Sequence, residues 1–135
     1  MEKNRISFRL RSDIVIQLGL LTNFAKEVEA LKLKRPLIIW DQNLKNSEYF
    51  ETIKSGLANF ASNGMFMPLG LTGEPSYELL SDLQDELDMS NFDSVVSLGG
   101  GSLMDIGKGL ALLASNPCEP KTLKGFPAGL NDPLP

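Results

Sequence analysis

Short apolar runs alternate along this chain with stretches whose apolar residues recur at steps of three and four. Ile14-Val15-Ile16 is a short β-branched run, and Ile6 and Phe8 ahead of it are placed to pair with a neighbouring segment. Between Leu20 and Leu31, the residues Phe24, Val28 and Leu31 form a helical stripe. Leu37-Ile38-Ile39-Trp40 reads as a buried strand. Asn46 or Ser47 can cap a helix with the stripe Phe50, Ile53, Leu57, Phe60, and Asn63-Gly64 ends it. Met65, Met67 and Leu69 alternate over a short strand. Pro75-Ser76 opens a further helix that turns Tyr77, Leu80, Leu83 and Leu87 inward. Ser94-Val95-Val96-Ser97-Leu98 is the next strand. Gly99-Gly100-Gly101 then turns the chain into a helix that runs to about Ser115 and stops at Asn116-Pro117.

Four strand-then-helix units in a row are the α/β signature. They predict a Rossmann-like, open, mostly parallel sheet with helices on both faces and right-handed crossovers. Leu37–Trp40 and Val95–Leu98 are apolar without clean alternation, as strands covered on both faces are. Residues 1–116 therefore read as one α/β domain. Residues 117–135 differ: five of the eight prolines and two glycines fall in these nineteen residues, and no periodicity survives. That tail is either disordered or leads towards a further strand.

The composition excludes several chemistries. The chain has 135 residues, with 13 basic against 17 acidic, a net charge of −4. It lacks the basic face that a nucleic-acid or anionic-membrane partner needs. One cysteine, Cys118, permits no intrachain disulfide, and it has no visible activating neighbour. With no histidine, a Ser-His-Asp triad, a Cys-His dyad or a histidine-ligated metal cannot be built from this chain. No window approaches the ~18 apolar residues that span a bilayer, so a cytoplasmic protein without a membrane partner is expected. Asp82, Asp85, Glu86 and Asp88 read as a solvated helix face, Trp40 as core or rim packing, and the methionines as core filler.

The chemistry-bearing segment is Ser97-Leu98-Gly99-Gly100-Gly101-Ser102-Leu103-Met104-Asp105-Ile106-Gly107-Lys108. Three glycines between a strand and a helix allow a sharp turn, φ > 0 and close approach of a ligand. The turn delivers backbone N–H groups at a helix N-terminus, at the carboxyl end of a parallel strand, where phosphate or pyrophosphate binds in open α/β sheets. The G-x-G-x-x-G pattern fails at Met104, and the P-loop pattern fails at Ser102 and Gly109. Asp105 and Lys108 share one side of the first helical turns, either as a solvated ion pair or as phosphate and ribose ligands. Asp41 ends the strand Leu37–Trp40. It is either a turn aspartate or an acceptor for ribose hydroxyls that favours NAD over NADP.

The run Gly99-Gly100-Gly101-Ser102-x-x-Asp105-x-x-Lys108 after an apolar strand resembles the signature of the iron-containing (group III) alcohol dehydrogenases. Pro36-Leu37-Ile38-Ile39-Trp40-Asp41 resembles that family's first nucleotide-binding strand, and Gly73-Glu74-Pro75 a degenerate form of its Asn-Pro-Thr turn. The resemblance extends from about Arg11 to Asn131. It implies a dehydroquinate-synthase-like N-terminal domain and an NAD(P)-dependent alcohol dehydrogenase or aldehyde reductase. NAD would be held by Asp41 at the adenosine ribose, by Gly99, Gly100, Gly101 and Ser102 at the pyrophosphate, and by Asp105 and Lys108 near the nicotinamide ribose. It also implies an iron or other divalent metal held by one aspartate and three histidines of a C-terminal helical domain, which this chain lacks along with the family's Thr-Thr turn. Hydride would pass between nicotinamide and a metal-bound alcohol, a small-molecule substrate, in a homo-oligomer. The 135-residue chain alone is expected to be inactive. A dehydroquinate-synthase-like lyase or a glycerol-dehydrogenase-like enzyme shares the turn. A non-catalytic nucleotide-binding module is the reading from another class.

Overall fold

The computed structural model describes residues 12–58, 63–125 and 127–135. Three strands form a parallel sheet: β1 (Pro36–Asp41), β2 (Met65–Leu69) and β3 (Ser94–Leu98), in the order β2-β1-β3. The register sets Asp41 beside Leu69 and Trp40 beside Leu98, so the carboxyl ends of all three strands share one edge. Among the described residues four α-helices pack on the sheet: α1 (Phe24–Ala30), α2 (Phe50–Leu57), α3 (Tyr77–Glu86) and α4 (Gly101–Ser115).

Alternate residues of β1 feed two cores. Leu37 and Ile39 pack with Leu83 and Leu87 at the end of α3 and with Leu103, Ile106 and Leu110 of α4. Ile38 packs with Val28 of α1 and with Ile53 and Leu57 of α2. Side chains of a strand point alternately to opposite faces, so one apolar run serves both layers. Leu37, Ile38 and Ile39 are fully buried, which explains why the run carries no polar residue. Pro68 sits in β2, an edge strand, where a missing N–H costs least.

Several expectations are corrected. Ile14-Val15-Ile16 forms no strand; Ile16 is 92% exposed, and nothing among the described residues pairs with the segment. A β-branched run is not a strand without a partner edge for its N–H and C=O groups. Ile6 and Phe8 lie outside the described residues. Neither Asn46 nor Ser47 caps α2: residues Gln42–Asn46 form a 3-10 turn, and α2 starts after Tyr49, which makes no side-chain cap bond. Phe60 too lies outside the described residues. Tyr77 is at the first position of α3 and remains 39% exposed, while Leu79 and Leu80 join Leu83 and Leu87 against the core. Leu31 is exposed because α1 ends at Ala30 and the backbone turns at Lys32, φ 53°.

The segment after Asn116 is ordered against α4. Asn131 N–H donates to Asn116 Oδ1 at 2.7 Å, and Asn116 Nδ2 donates to the Asn131 carbonyl at 3.0 Å. Asn131 Nδ2 donates to the Ser115 carbonyl. Pro120 is buried at the start of a 3-10 turn, Pro120–Leu123. Leu134 packs on the α3/α4 core and donates its N–H to the Ala111 carbonyl. Val95 N–H donates to the Pro135 carbonyl at 2.9 Å, on the side of β3 away from β1.

Candidate functional site

The carboxyl edge of the sheet is built by three chain reversals. β3 leaves at Leu98 and becomes α4 within three residues. Gly100 is the N-cap of α4, with φ −77° and ψ −177°, and it carries no side chain to satisfy the first amides. The first intrahelical donor there is Met104 N–H to the Gly100 carbonyl, 3.1 Å. The amides ahead of it in the first turn have no partner inside an α-helix and point away from its start. They carry the positive end of a fifteen-residue helix.

The glycines of this turn are not explained by backbone strain. Positive φ among the glycines occurs only at Gly19, Gly125 and Gly129 in the described residues, so the expected φ > 0 at the turn is absent. Space explains them instead. A Cβ on Gly99 would fall 2.8 Å from Leu103 Cδ2 and 3.2 Å from Asp41 Cβ, so that glycine lets β1 and β3 end side by side. A Cβ on Gly100 or Gly101 would meet nothing within 4 Å. Neither the chain's own packing nor its dihedrals require glycine at those two positions.

Asp41 stands where the sequence puts it, at the end of β1 and in contact distance of Gly99. One carboxylate oxygen accepts from Asn43 N–H at 2.9 Å, which caps the 3-10 turn and fixes the side chain. The turn aspartate and the ligand acceptor are thus not exclusive, because the second oxygen takes no part in that bond. Asp105 and Lys108 form an exposed ion pair, 2.9 Å, along the flank of α4. Ser102 is half-buried in the first turn. The fold brings Asp41 and Gly99 together; Asp105 and Lys108 sit further along the helix and pair with each other.

Three residues not singled out from the sequence shape this edge. Gly107 lets α4 close on the sheet: a Cβ there would collide with Ser97 Oγ and come 3.3 Å from Ser97 Cβ and 3.5 Å from Ile39 Cδ1. Its position nearly two turns after a glycine corner could have suggested close helix–strand packing. Gly70 follows β2, and the side chain of Gln42 lies over it, with Gln42 Cδ 2.7 Å from where a Cβ would be. No sequence signal links Gln42 to Gly70, since 28 positions separate them.

At this same edge, on the α2 face, an apolar cavity of about 390 Å³ opens beside Trp40, lined also by Leu44, Phe50, Ile53, Phe66 and Leu98. Trp40 and Phe50 pack there with ring centroids 5.2 Å apart, tilted by 44°. At the opposite, amino end of the sheet, Asp93 ties β3 to β1. Burial pushes its carboxyl up, but hydrogen bonds from Arg35 N–H at 3.0 Å and the Ser94 hydroxyl, with the Arg35 charge, outweigh that and hold it below its ordinary value. Among the described residues no three His, Cys, Asp or Glu side chains gather to hold a metal ion, and the sequence has no histidine. The described residues do not fit an iron centre. No helix among the described residues is long and apolar enough to cross a membrane.

The sequence profile described as iron-containing alcohol dehydrogenase matches residues 12–135. Alcohol dehydrogenase 4 of Schizosaccharomyces pombe is 31% identical over 98 residues, 73% of this chain and 23% of that protein. The mitochondrial hydroxyacid-oxoacid transhydrogenase of Caenorhabditis briggsae is 30% identical over 99 residues, 73% of this chain and 21% of that protein. The chain thus spans less than a quarter of the length of these curated relatives. Among solved structures, the NADH-dependent butanol dehydrogenase A of Thermotoga maritima superposes with a TM-score of 0.77 over 97% of this chain and 33% of that one, at 16% identity. The iron-containing alcohol dehydrogenase of Thermococcus thioreducens superposes with a TM-score of 0.66 over 82% of this chain and 29% of that one, at 24% identity. The parallel sheet, the glycine corner and the profile match over residues 12–135 lead to one assignment: the chain belongs to the iron-containing alcohol dehydrogenase family.

Proposed function

We propose that this chain binds the dinucleotide of an NAD-dependent alcohol dehydrogenase or aldehyde reductase, with NADP disfavoured. The observation that carries the reading is the empty space at Gly100 and Gly101, where nothing within 4 Å of a Cβ accounts for glycine. The diphosphate lies on the first-turn amides of α4, with Gly99, Gly100, Gly101 and Ser102 as its backbone cradle. The free oxygen of Asp41 accepts from a ribose hydroxyl; a 2′-phosphate there would meet a like charge. Asp105 and Lys108 face the nicotinamide ribose side, and their ion pair opens when the ligand takes either partner. When bound, the nicotinamide supplies the hydride chemistry, and this chain's residues bind and orient it.

The substrate is a small alcohol or aldehyde. The butanol dehydrogenase named above is NADH-dependent by its description, which favours the same cofactor class here. Iron would be held by residues outside these 135, so the chain by itself is inactive. Residues 1–116 serve as the nucleotide unit, and 117–135 as the connection to the remainder. A homo-oligomer in the cytoplasm completes the reading.

Titration of NADH by fluorescence tests it. Gly100→Asp adds a side chain where the protein has room, so folding is retained. The diphosphate would meet both bulk and like charge, and affinity should fall about tenfold or more. Equal affinity in the two proteins would remove the cradle from the reading.

A further inference from the structure

Gln42 carries an amide that the reading above leaves unused. It follows Asp41 directly and starts the 3-10 turn Gln42–Asn46. Its side chain reaches from the end of β1 to the end of β2 and rests on Gly70. A Cβ built on Gly70 would collide with Gln42 Nε2, the nearest atom of the amide, and lie 2.7 Å from Gln42 Cδ and 3.1 Å from Gln42 Oε1. Gly70 has no positive φ, so its backbone does not demand glycine; its bare Cα is the seat of the amide. Among the described residues no hydrogen bond engages the Gln42 amide, and the residue is open to solvent.

We propose that Gln42 is a ribose-contact and cofactor-specificity residue, whose amide, seated on Gly70 beside Asp41, hydrogen-bonds the adenosine ribose of an unphosphorylated nicotinamide dinucleotide. The inference rests on the nucleotide reading and names a residue which that reading did not include. A ribose hydroxyl both donates and accepts, but the Asp41 carboxylate only accepts. One of its oxygens is already taken by Asn43 N–H at 2.9 Å. A neighbouring group that donates to the hydroxyl oxygens completes the match, and a carboxamide offers two N–H donors and an acceptor. A 2′-phosphate gives Asp41 no hydrogen and brings like charge, and a neutral amide does not offset that.

The test is competition against NADH fluorescence with two probes, ADP-ribose and inorganic pyrophosphate, on the 135-residue chain. Gln42→Ala should weaken ADP-ribose about two- to tenfold and leave pyrophosphate unchanged. Gly70→Ala puts a methyl in the amide's seat and should give the same loss. The double variant should lose no more than either single one. Gln42→Glu should not restore affinity. Gly100→Asp, the control, should weaken both probes. Circular-dichroism melts identical to the parent check that each variant is folded. An unchanged ADP-ribose affinity in Gln42→Ala, with Gly100→Asp still weakening both probes, overturns the role of Gln42 and leaves the nucleotide reading standing. A loss in Gly70→Ala that Gln42→Ala does not share overturns it as well. No binding of either probe by the parent chain overturns both readings together.

Discussion

Gly99 ends β3 against Asp41, which ends β1: a methyl group on Gly99 would sit 3.2 Å from the Asp41 Cβ. The acid and the glycine corner are therefore one surface, although 58 positions separate them in sequence. Gly99→Ala also presses on Leu103 Cδ2 at 2.8 Å, inside the first turn of α4. Leu103 is 2% exposed and cannot swing into solvent. We expect a stability loss of about 1–3 kcal/mol together with weaker NADH binding. Chemical denaturation and NADH titration on the same protein separate the two. A variant as stable and as competent as the parent would contradict the contact.

Gly107 should behave as a packing residue. Gly107→Ala drives Ser97 Oγ away, and Gly107→Leu lifts α4 from β3. Overpacking costs about 1–3 kcal/mol. The alanine penalty should shrink in a Ser97→Ala background, because the nearest obstacle is then gone. A double-mutant cycle from thermal melts reads this coupling. Strict additivity would mean that Ser97 and Gly107 do not meet.

Ser76 caps α3, its hydroxyl accepting from Leu79 N–H at 3.1 Å. Ser76→Ala should cost about 1 kcal/mol, and Ser76→Asp should be close to neutral. No change in the urea midpoint of the alanine variant would show that the cap is unimportant.

The Asp93 clamp makes stability depend on acid. Burial opposes its charge, but the Arg35 amide, the Ser94 hydroxyl and the Arg35 charge lower its titration in the folded state. The unfolded chain therefore takes up the proton first as pH falls. The contribution is complete above about pH 4, where an unfolded aspartate is ionised, and is lost as the pH drops through the folded value. Asp93→Asn should flatten this part of the acid-side stability curve measured by denaturant melts. A parallel curve for the variant would assign the acid sensitivity to other carboxylates.

Asn131→Ala should release the last turn of the chain. It removes the side-chain bond to the Ser115 carbonyl and loosens the reciprocal contact with Asn116. The Val95 amide, bonded to Pro135 at 2.9 Å, should then exchange faster with deuterium. Amides of β1 in the sheet centre should keep their protection. Unaltered exchange at Val95 would mean that Leu134 alone anchors the segment.

The sequence alone determined the elements whose local chemistry is self-sufficient. β1 was legible because three consecutive fully apolar residues can be buried only between two layers. α3 was legible because Ser76 caps it and Leu80, Leu83 and Leu87 repeat on one side. The glycine corner into α4 was legible because three consecutive glycines interrupt an apolar run just before a helical stripe, and that segment also carried the family resemblance. Asp41 was readable as a strand-end acid, though only the fold showed it touching Gly99. The tertiary structure decided what depends on a distant partner. Ile14-Val15-Ile16 has strand propensity but no partner among the described residues, so it forms none. Gly107 leaves room for Ser97, and Gln42 reaches Gly70, contacts that only packing brings about. Proline content left residues 117–135 open between a disordered tail and a lead into a further strand; in the fold two asparagines and a leucine side chain bind the segment to α4. Propensity acts within a few residues, whereas burial and steric fit act between surfaces that meet only after the chain has folded.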